Sequence, residues 1–310
     1  MTMRWQTKSF LQRILSRLNF GNSFYYQVQK HFGGFRHFSI RTKIDQGIEL
    51  LEAISVNSLS LNDMYLAEIG TGWAPLLPML FAFLGAKGCV TCDVNRLLNE
   101  KLVLQAAKQF LQMRSYLHKK LPKAYLEDYD NNIDSIGMYR NCASVLRALN
   151  ITYFVDSDDP LKQIETASID IFLSNDTLEH IPQEQLPGLF REIRRVLKPD
   201  GLMIHQVDCS DHYSHNDSTI NRFNFLRFST KEWARYNNDF LFQNRLRPSD
   251  YWELITSAGF SIDYWKQKLN QRTLEEFPGL PIAKEFQAYR PEELCVSDFI
   301  VLARPNIEHD

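Results

Sequence analysis

The alternation of short apolar segments with amphipathic segments is the feature that most limits how this chain can fold. Seven strand-like segments follow one another from about residue 64: "MYLAEIG", "CVTCDV", "ITYFVD", "SIDIFLSND", "LMIHQVD", "SIDYW" and "DFIVLAR". Most are separated by helix-like stretches such as "PLLPMLFAFLGA" and "QEQLPGLFREIRRVL". Apolar strands that alternate with helices in this way indicate an α/β fold with a doubly wound sheet, buried on both faces.

Length and composition fit one such domain with insertions. The chain has 310 residues, of which 44% are hydrophobic and 23% charged, as is usual for a globular protein. We predict a main domain over residues 61–310, with a helical insertion at about 97–150. A substrate lid or lobe is predicted at about 209–250 and 270–295, and residues 1–60 are predicted to form a basic, acid-poor helical extension.

The N-terminal extension is strongly basic. The first 44 residues contain no Asp or Glu but eight Lys or Arg. Apolar side chains recur at helical spacing between residues 8 and 18, opposite polar and basic ones. Such a helix packs on the main domain, docks a partner or lies on an anionic membrane surface, and an Arg-rich start also resembles a mitochondrial transit peptide. We expect packing on the main domain and keep peripheral membrane contact through residues 8–18 as the alternative.

Several classes of protein are disfavoured by the chain as a whole. Lys and Arg number 35 against 37 Asp and Glu, so the net charge of -2 does not indicate nucleic-acid binding. No apolar run reaches the length of a membrane span, and no secretory signal is evident, so we predict a cytoplasmic protein. Cys89 and Cys92 lie three apart on a predicted strand and point to opposite faces, which indicates buried cysteines, not a redox or zinc pair.

A glycine turn after the first strand predicts a cofactor site. Glu68, Gly70 and Gly72 occur in "EIGTGW", and Asp93 ends the second strand. Ligands of open α/β sheets bind beyond the carboxyl ends of the strands, and a carboxylate at Asp93 can accept both hydroxyls of a ribose. These features alone fit NAD and S-adenosylmethionine equally well.

Two details favour S-adenosylmethionine. Pro75 stands where a dinucleotide fingerprint has its third glycine, and a proline offers no amide donor to a pyrophosphate. Glu68 places negative charge where a dinucleotide brings phosphates, and it suits a cationic group instead.

Four motifs together carry a family resemblance: "EIGTGW", Asp93, "SNDTLEHI" and "RRVLKPDGLMIHQVD". In this order and spacing they resemble the class I S-adenosylmethionine-dependent methyltransferases, over about residues 64–208. The resemblance implies a Rossmann-like, seven-stranded, doubly wound sheet whose last strand is antiparallel, here with helical insertions and an N-terminal helical extension. It also implies S-adenosyl-L-methionine as the cofactor.

The resemblance carries cofactor roles to eight positions: Glu68, Gly70, Gly72, Asp93, Asp156, Asp158, Asn175 and Asp176. The first three are expected to hold the methionine part of the cofactor, and Asp93 its ribose. Asp156 or Asp158 is expected beside the adenine, although "FVDSDD" departs from the usual single acid followed by a small residue. Asn175 and Asp176 are expected near the transferred methyl group.

Candidate catalytic residues follow the fourth and fifth strands. A hydroxyl acceptor is helped by a general base close to its proton. We predict His212 as that base, oriented by Asp208, and place His180 on the substrate side. Carboxylates and imidazoles here can also bind Mg²⁺ or simply stabilise loops, so the sequence assigns no metal ligands.

The acceptor is less constrained than the cofactor. Arginines alternate with aromatic residues between 221 and 247, and Arg245 or Arg247 is predicted to pair with an anionic group of the acceptor. Stacking on RNA bases or simple packing of a lobe are the alternatives. We predict a small-molecule or glycan acceptor methylated at oxygen. A protein or RNA methyltransferase, or a catalytically silent binding subunit of this fold, stays open.

Overall fold

The structure, a computed structural model, describes residues 4–16, 39–56, 60–134, 136–215 and 217–306. These residues form one seven-stranded sheet, with strands β1 Tyr65–Ile69, β2 Gly88–Asp93, β3 Ile151–Val155, β4 Ile169–Asn175, β5 Leu197–Asp208, β6 Phe260–Leu269 and β7 Val296–Pro305. The strand order is β3-β2-β1-β4-β5-β7-β6, and β7 runs antiparallel to both of its neighbours. The predicted seven-stranded sheet with an antiparallel last strand is confirmed.

Helices cover the sheet and fill the connections between strands. They are α1 Trp5–Ser16, α2 Arg41–Ser55, α3 Leu76–Phe83, α4 Glu100–Gln112, α5 Arg114–Lys120, α6 Leu126–Ile133, α7 Cys142–Ala148, α8 Leu186–Val196, α9 Thr230–Trp233, α10 Pro248–Ser257, α11 Gln271–Glu276 and α12 Pro291–Leu294. Among these, α4 to α7 lie between β2 and β3, where the sequence predicts the helical insertion.

Two apolar cores lie on opposite faces of the sheet. One contains side chains of α2 to α7, and the other contains side chains of α8 and α10. Neighbouring strand residues alternate between the two cores, as Leu66 and Ala67 show. Cys89 and Cys92 are buried free cysteines in opposite cores, which confirms the prediction for this pair.

The strand order creates the place where a ligand binds. The chain reverses its winding between β1 and β4, and ligands of open α/β sheets bind at such a switch point. In the sheet register Glu68 of β1 lies beside Thr91 of β2 and Leu173 of β4. The carboxyl ends of these three strands therefore meet at one edge, together with that of β5.

The N-terminal helix packs on a third apolar cluster. Trp5 of α1 is buried there with side chains of residues 213–236 and 277–294, including Trp233 and Phe286. We call this cluster the lobe core. Packing of the N-terminal helix on the rest of the chain is thereby confirmed for residues 5–16. Within the described residues, no helix is both long and apolar enough to cross a membrane.

The outer face of α1 remains partly apolar. Phe10, Leu11 and Ile14 are 62%, 42% and 44% exposed, while Ser9 and Gln12 are buried. Positions 17 and 18 of the proposed membrane-contact segment lie outside the described residues.

The second helix belongs to the core of the sheet. Ile44, Ile48 and Leu51 of α2 are buried in the same core as the side chains of α3. Because α2 is fixed in this way, its first turn reaches the edge of the sheet where β4 ends.

Candidate functional site

The turn after β1 depends on its two glycines. Gly70 and Gly72 have φ angles of +92° and +60°, in the left-handed region that favours glycine. A Cβ atom on Gly70 would collide with the side chain of Thr177, which follows β4. A Cβ on Gly72 would meet nothing within 4 Å. Gly70 therefore permits two loops to pack closely, and Gly72 faces open space at the switch point.

Glu68 is a buried carboxyl group at the end of β1. Its Oε2 accepts a hydrogen bond of 2.5 Å from Thr91 Oγ1, which lies 2.6 Å from Thr71 Oγ1. Burial raises the pKa of Glu68 to about 8, and the nearby charge of Lys43 opposes that shift. A cation arriving beside this group favours the ionised form. The residue therefore fits the ammonium group of S-adenosylmethionine, as the resemblance implies.

Asp93 is the last residue of β2, and its carboxylate accepts hydrogen bonds from the loop after β1 and from the loop after β2. Its Oδ2 accepts the N–H of Gly72 at 3.0 Å, and its Oδ1 accepts the N–H of Asn95 at 3.1 Å. Burial raises the pKa of Asp93 despite these hydrogen bonds. Since each carboxylate oxygen has two lone pairs, Asp93 keeps acceptor capacity for two ribose hydroxyls.

The acids after β3 differ in their surroundings. Asp156 Oδ1 accepts the N–H groups of Asp158 and Asp159 at 2.9 and 3.1 Å, and these bonds lower its pKa. Asp158 is exposed. Asp156 therefore shapes the turn itself, whereas Asp158 projects from it, and a role of either beside an adenine stays a prediction.

A lysine from α2 completes the end of β4. Asp176 follows the strand with a φ of +52°, and Lys43 Nζ donates to its Oδ2 at 2.7 Å. The same ammonium group contacts Asn175 Oδ1, and Gln46 Nε2 donates to Asp176 at 2.9 Å. No local motif in the sequence predicts the contact of Lys43 with Asp176, because that contact depends on how α2 packs.

Asp208 and His212 come together at the end of β5. His212 Nε2 lies 3.2 Å from Asp208 Oδ2, and the N–H of Ser210 donates to Asp208 Oδ1 at 2.8 Å. Burial alone would raise the pKa of Asp208, but its contacts with His212 and Ser210 lower it to about 2. The structure therefore places an ionised carboxylate directly beside the imidazole of His212.

His180 and Glu179 line the same space from the β4 side. The ring centroids of His180 and His212 are 4.9 Å apart, and His180 Nδ1 lies 2.6 Å from the carbonyl oxygen of Phe242. The side chain of His180 is partly open to solvent, unlike that of Glu179. Burial, reinforced by the charges of Asp176 and Asp208, raises the pKa of Glu179 well above its usual range.

Glu179 joins the candidate site, although no role was predicted for it from the sequence. It stands in the quoted "LEHI" motif, immediately before His180, so a signal was present. The motif alone does not show that its carboxyl group points inward, since an acid after a strand is usually solvated. Burial of the side chain, at 3% exposure, distinguishes it from such an acid.

Arg245 and Arg247, which the sequence predicts to bind the acceptor, both have buried side chains. Arg245 donates to the carbonyl oxygen of Phe228 at 2.6 Å and to Glu285 Oε1 at 3.2 Å. Arg247 is 1% exposed and donates to the carbonyl oxygen of Cys209 at 2.8 Å. For Arg245 these contacts favour a packing role over the substrate role predicted from the sequence. Nη1 of Arg247 is buried without a hydrogen-bond partner among the described residues, so a substrate role of Arg247 stays a prediction.

Solved structures share this architecture at low sequence identity. A provisionally named sarcosine dimethylglycine methyltransferase from Galdieria sulphuraria is 14% identical, with a TM-score of 0.50, over 92% of this chain and 98% of that one. Magnesium protoporphyrin IX methyltransferase from Synechocystis PCC 6803, with bound SAH, is 13% identical, with a TM-score of 0.47, over 95% and 99%. No curated protein sequence matches the chain significantly.

A family model adds sequence evidence to this fold. The model, described as a methyltransferase domain, matches residues 128–205. That range includes β3, β4 and most of β5, and the glycine turn with Glu68 and Asp93 precedes it. The chain therefore contains a methyltransferase domain, and it has the class I fold of S-adenosylmethionine-dependent methyltransferases. S-adenosylmethionine is its cofactor, and the ends of β1 and β2 carry residues that the sequence resemblance assigns to it.

We expect the methyltransferase to release a proton when it binds S-adenosylmethionine near pH 7. The pKa of Glu68 is about 8 in the free protein, so its carboxyl group is mostly protonated there and ionises beside the incoming ammonium group. Calorimetry in buffers of different ionisation enthalpy measures this release. It should shrink above pH 8, where Glu68 is already ionised.

The matched variant for this prediction is Glu68→Gln. It should show less proton release at pH 7 and bind roughly tenfold more weakly, the scale of one hydrogen bond to a charged group. Equal proton release from the wild type and the variant would assign the proton to another group.

Proposed function

We propose that this methyltransferase methylates an oxygen of a small-molecule or glycan acceptor. The observation that carries the proposal is the pairing of Asp208 with His212, 3.2 Å apart at the end of β5. An amine acceptor needs only to be neutral, whereas a hydroxyl is helped by a base near its proton. A carboxylate–imidazole pair on the acceptor side is therefore most useful to a hydroxyl.

The proposed chemistry is one displacement. S-adenosylmethionine supplies a methyl group activated by its sulfonium; the acceptor oxygen bonds to that carbon while the carbon–sulfur bond breaks and its electron pair goes to sulfur. The protein mainly aligns the reacting atoms, at about 3 to 3.5 Å before reaction. Asp208 faces Nε2 of His212 and favours a proton there, so Nδ1 accepts the proton of the hydroxyl.

Other residues are assigned by position around this pair. Asn175 and Asp176, held by Lys43, are proposed to border the methyl group, and Asp156 or Asp158 the adenine. His180 is proposed to contact the acceptor beside His212. Segments 209–250 and 270–295 would enclose the acceptor, and we expect the enzyme to act in the cytoplasm.

Acceptor panels test the proposal. Purified enzyme with S-adenosylmethionine is incubated with phenols, sugars and hydroxy acids, each paired with its O-methyl ether as a matched control. Release of S-adenosylhomocysteine with the free hydroxyls and not with the ethers is the expected result. Turnover only with proteins, RNA or amines would overturn it, and cofactor binding without any turnover would indicate a silent binding subunit.

Peripheral membrane contact through residues 8–18 is a separate proposal. It is supported by the exposed side chains of Phe10, Leu11 and Ile14 beside basic residues of α1. Co-sedimentation with anionic but not with neutral vesicles is the expected result, and recovery in the supernatant with both would remove the proposal.

A further inference from the structure

The buried carboxyl group of Glu179 has no part in the acid–base scheme. Both of its oxygens are buried, and neither has a hydrogen-bond partner among the described residues. Burying a carboxyl group without a partner costs free energy, and burying it ionised costs much more. Among the side chains that the structure describes, none therefore compensates Glu179.

The imidazoles of His180 and His212 each have a ring nitrogen close to the carboxyl group of Glu179. The ligand atoms of Glu179, His180 and His212 all lie within 4.8 Å of one another, and Glu179 Oε1 lies 4.0 Å from His212 Nε2. His212 Nε2 is buried and has no hydrogen-bond partner among the described residues, although Asp208 lies within ion-pair distance. Three potential ligands from two different loops thus converge.

The hydrogen bond of His180 prepares its other nitrogen for a ligand. Nδ1 of His180 lies 2.6 Å from the carbonyl oxygen of Phe242, which can only accept, so Nδ1 carries the proton. Nε2 then holds the free lone pair. Metal-binding histidines typically donate their second N–H to a carbonyl or carboxylate in this manner, which fixes the tautomer and the ring orientation.

We infer that Glu179, His180 and His212 bind one divalent transition-metal ion. Two imidazole nitrogens and one carboxylate oxygen suit Zn²⁺ or Mn²⁺, whereas Mg²⁺ prefers oxygen ligands. Ligand atoms around such an ion lie roughly 3.3 Å apart, since each is about 2.1 Å from the metal. The spacing of up to 4.8 Å therefore needs only a modest contraction by side-chain rotation. Three protein ligands leave a coordination position for an acceptor oxygen.

The inference deepens the proposed function and rests on it for its chemical use. A bound ion lowers the pKa of a coordinated hydroxyl and thereby produces the nucleophilic oxygen. With the ion bound, His212 Nε2 coordinates the metal in place of carrying a proton, so His212 acts as a ligand and not as the base. The proton of the metal-bound hydroxyl is released to solvent. The oxygen forms the bond to the methyl carbon as before.

Metal binding to the full chain tests the inference directly, without any acceptor. Chelator-treated, dialysed protein is titrated with Zn²⁺ by calorimetry and with Mn²⁺ by electron paramagnetic resonance. We expect one ion per chain, with Mg²⁺ at least tenfold weaker. Glu179→Gln and His180→Asn should each weaken binding by roughly a hundredfold or more, since even partners that only orient ligands change metal affinity by 10–100-fold.

His118→Gln is the matched control. His118 also pairs with an acid, lying 2.9 Å from Asp130, but it is on α5, outside the site. This variant should bind metal as the wild type does. Thermal unfolding and S-adenosylhomocysteine binding of each variant report whether it folds, and Glu179→Gln keeps the shape of the side chain.

The outcomes separate the inference from the proposed function. No stoichiometric ion in the wild type, or equal affinity in folded Glu179→Gln, would overturn the metal site whatever the activity. An ion lost in both ligand variants supports the site even when no hydroxyl acceptor is methylated, in which case the proposed function alone fails.

Discussion

The His212→Asn variant is expected to lose methyl transfer by roughly a hundred- to ten-thousandfold in kcat, the usual contribution of a positioned acid or base. The imidazole faces Asp208 at 3.2 Å, and Asn offers neither its basicity nor a strong metal ligand. The affinity for S-adenosylhomocysteine should change little, because the residues expected to bind the cofactor lie at the ends of β1 to β4 and His212 follows β5. Steady-state kinetics and calorimetry measure the two quantities.

A neighbouring histidine provides the control for this prediction. The ring of His215 lies 5.0 Å from that of His212 in the same short turn. Its Nε2 lies 3.0 Å from Ser210 Oγ and 3.5 Å from Asp208 Oδ2, farther from that carboxylate than His212 Nε2. His215→Asn should lose far less activity than His212→Asn. Comparable losses in both variants would mean that the turn, and not the imidazole of His212, matters for catalysis.

Gly70→Ala should be the most damaging single change in the cofactor loop. Its φ of +92° is strained for any residue with a Cβ, which costs on the order of 1–3 kcal/mol. The new methyl group would also collide with Thr177, so the loops after β1 and β4 must separate. We expect a loss of about 2–4 kcal/mol in the free energy of unfolding, together with tenfold or greater weakening of cofactor binding.

The Gly72→Ala variant separates the effect of backbone strain from that of the collision between residue 70 and Thr177. The φ of Gly72 is +60°, but a Cβ there meets nothing within 4 Å, so only backbone strain of about 1–2 kcal/mol remains. Adding Thr177→Ala to Gly70→Ala should recover part of the lost stability. Urea unfolding measures all three variants, and equal losses for Gly70→Ala and Gly72→Ala would exclude a special role for the contact with Thr177.

Much of the fold could be predicted because its causes are local. β4 is buried along nearly all of its length, so "SIDIFLSND" already reads as a central parallel strand. The places of Glu68, Gly70 and Asp93 follow from the same pattern, since each stands at the carboxyl end of a predicted strand. Parallel strands bring those ends to one edge.

The acceptor side could be predicted only in part. Asp208 and His212 are four positions apart, so their contact required only that the chain turn after β5. Whether Arg245 points into the site or into the lobe has no such local cause. Its direction is set by hydrogen bonds to the side chain of Glu285, 40 positions away, and to the carbonyl oxygen of Phe228.

By itself the sequence determined the sheet and the class of cofactor, and it predicts the strand ends expected to hold that cofactor, because burial periodicity and turn chemistry act over a few neighbouring residues. Only the tertiary structure placed Lys43 on Asp176 and turned Glu179 inward beside His180 and His212. These contacts join segments 133 and 33 positions apart, so they depend on how helices and loops pack across the sheet edge.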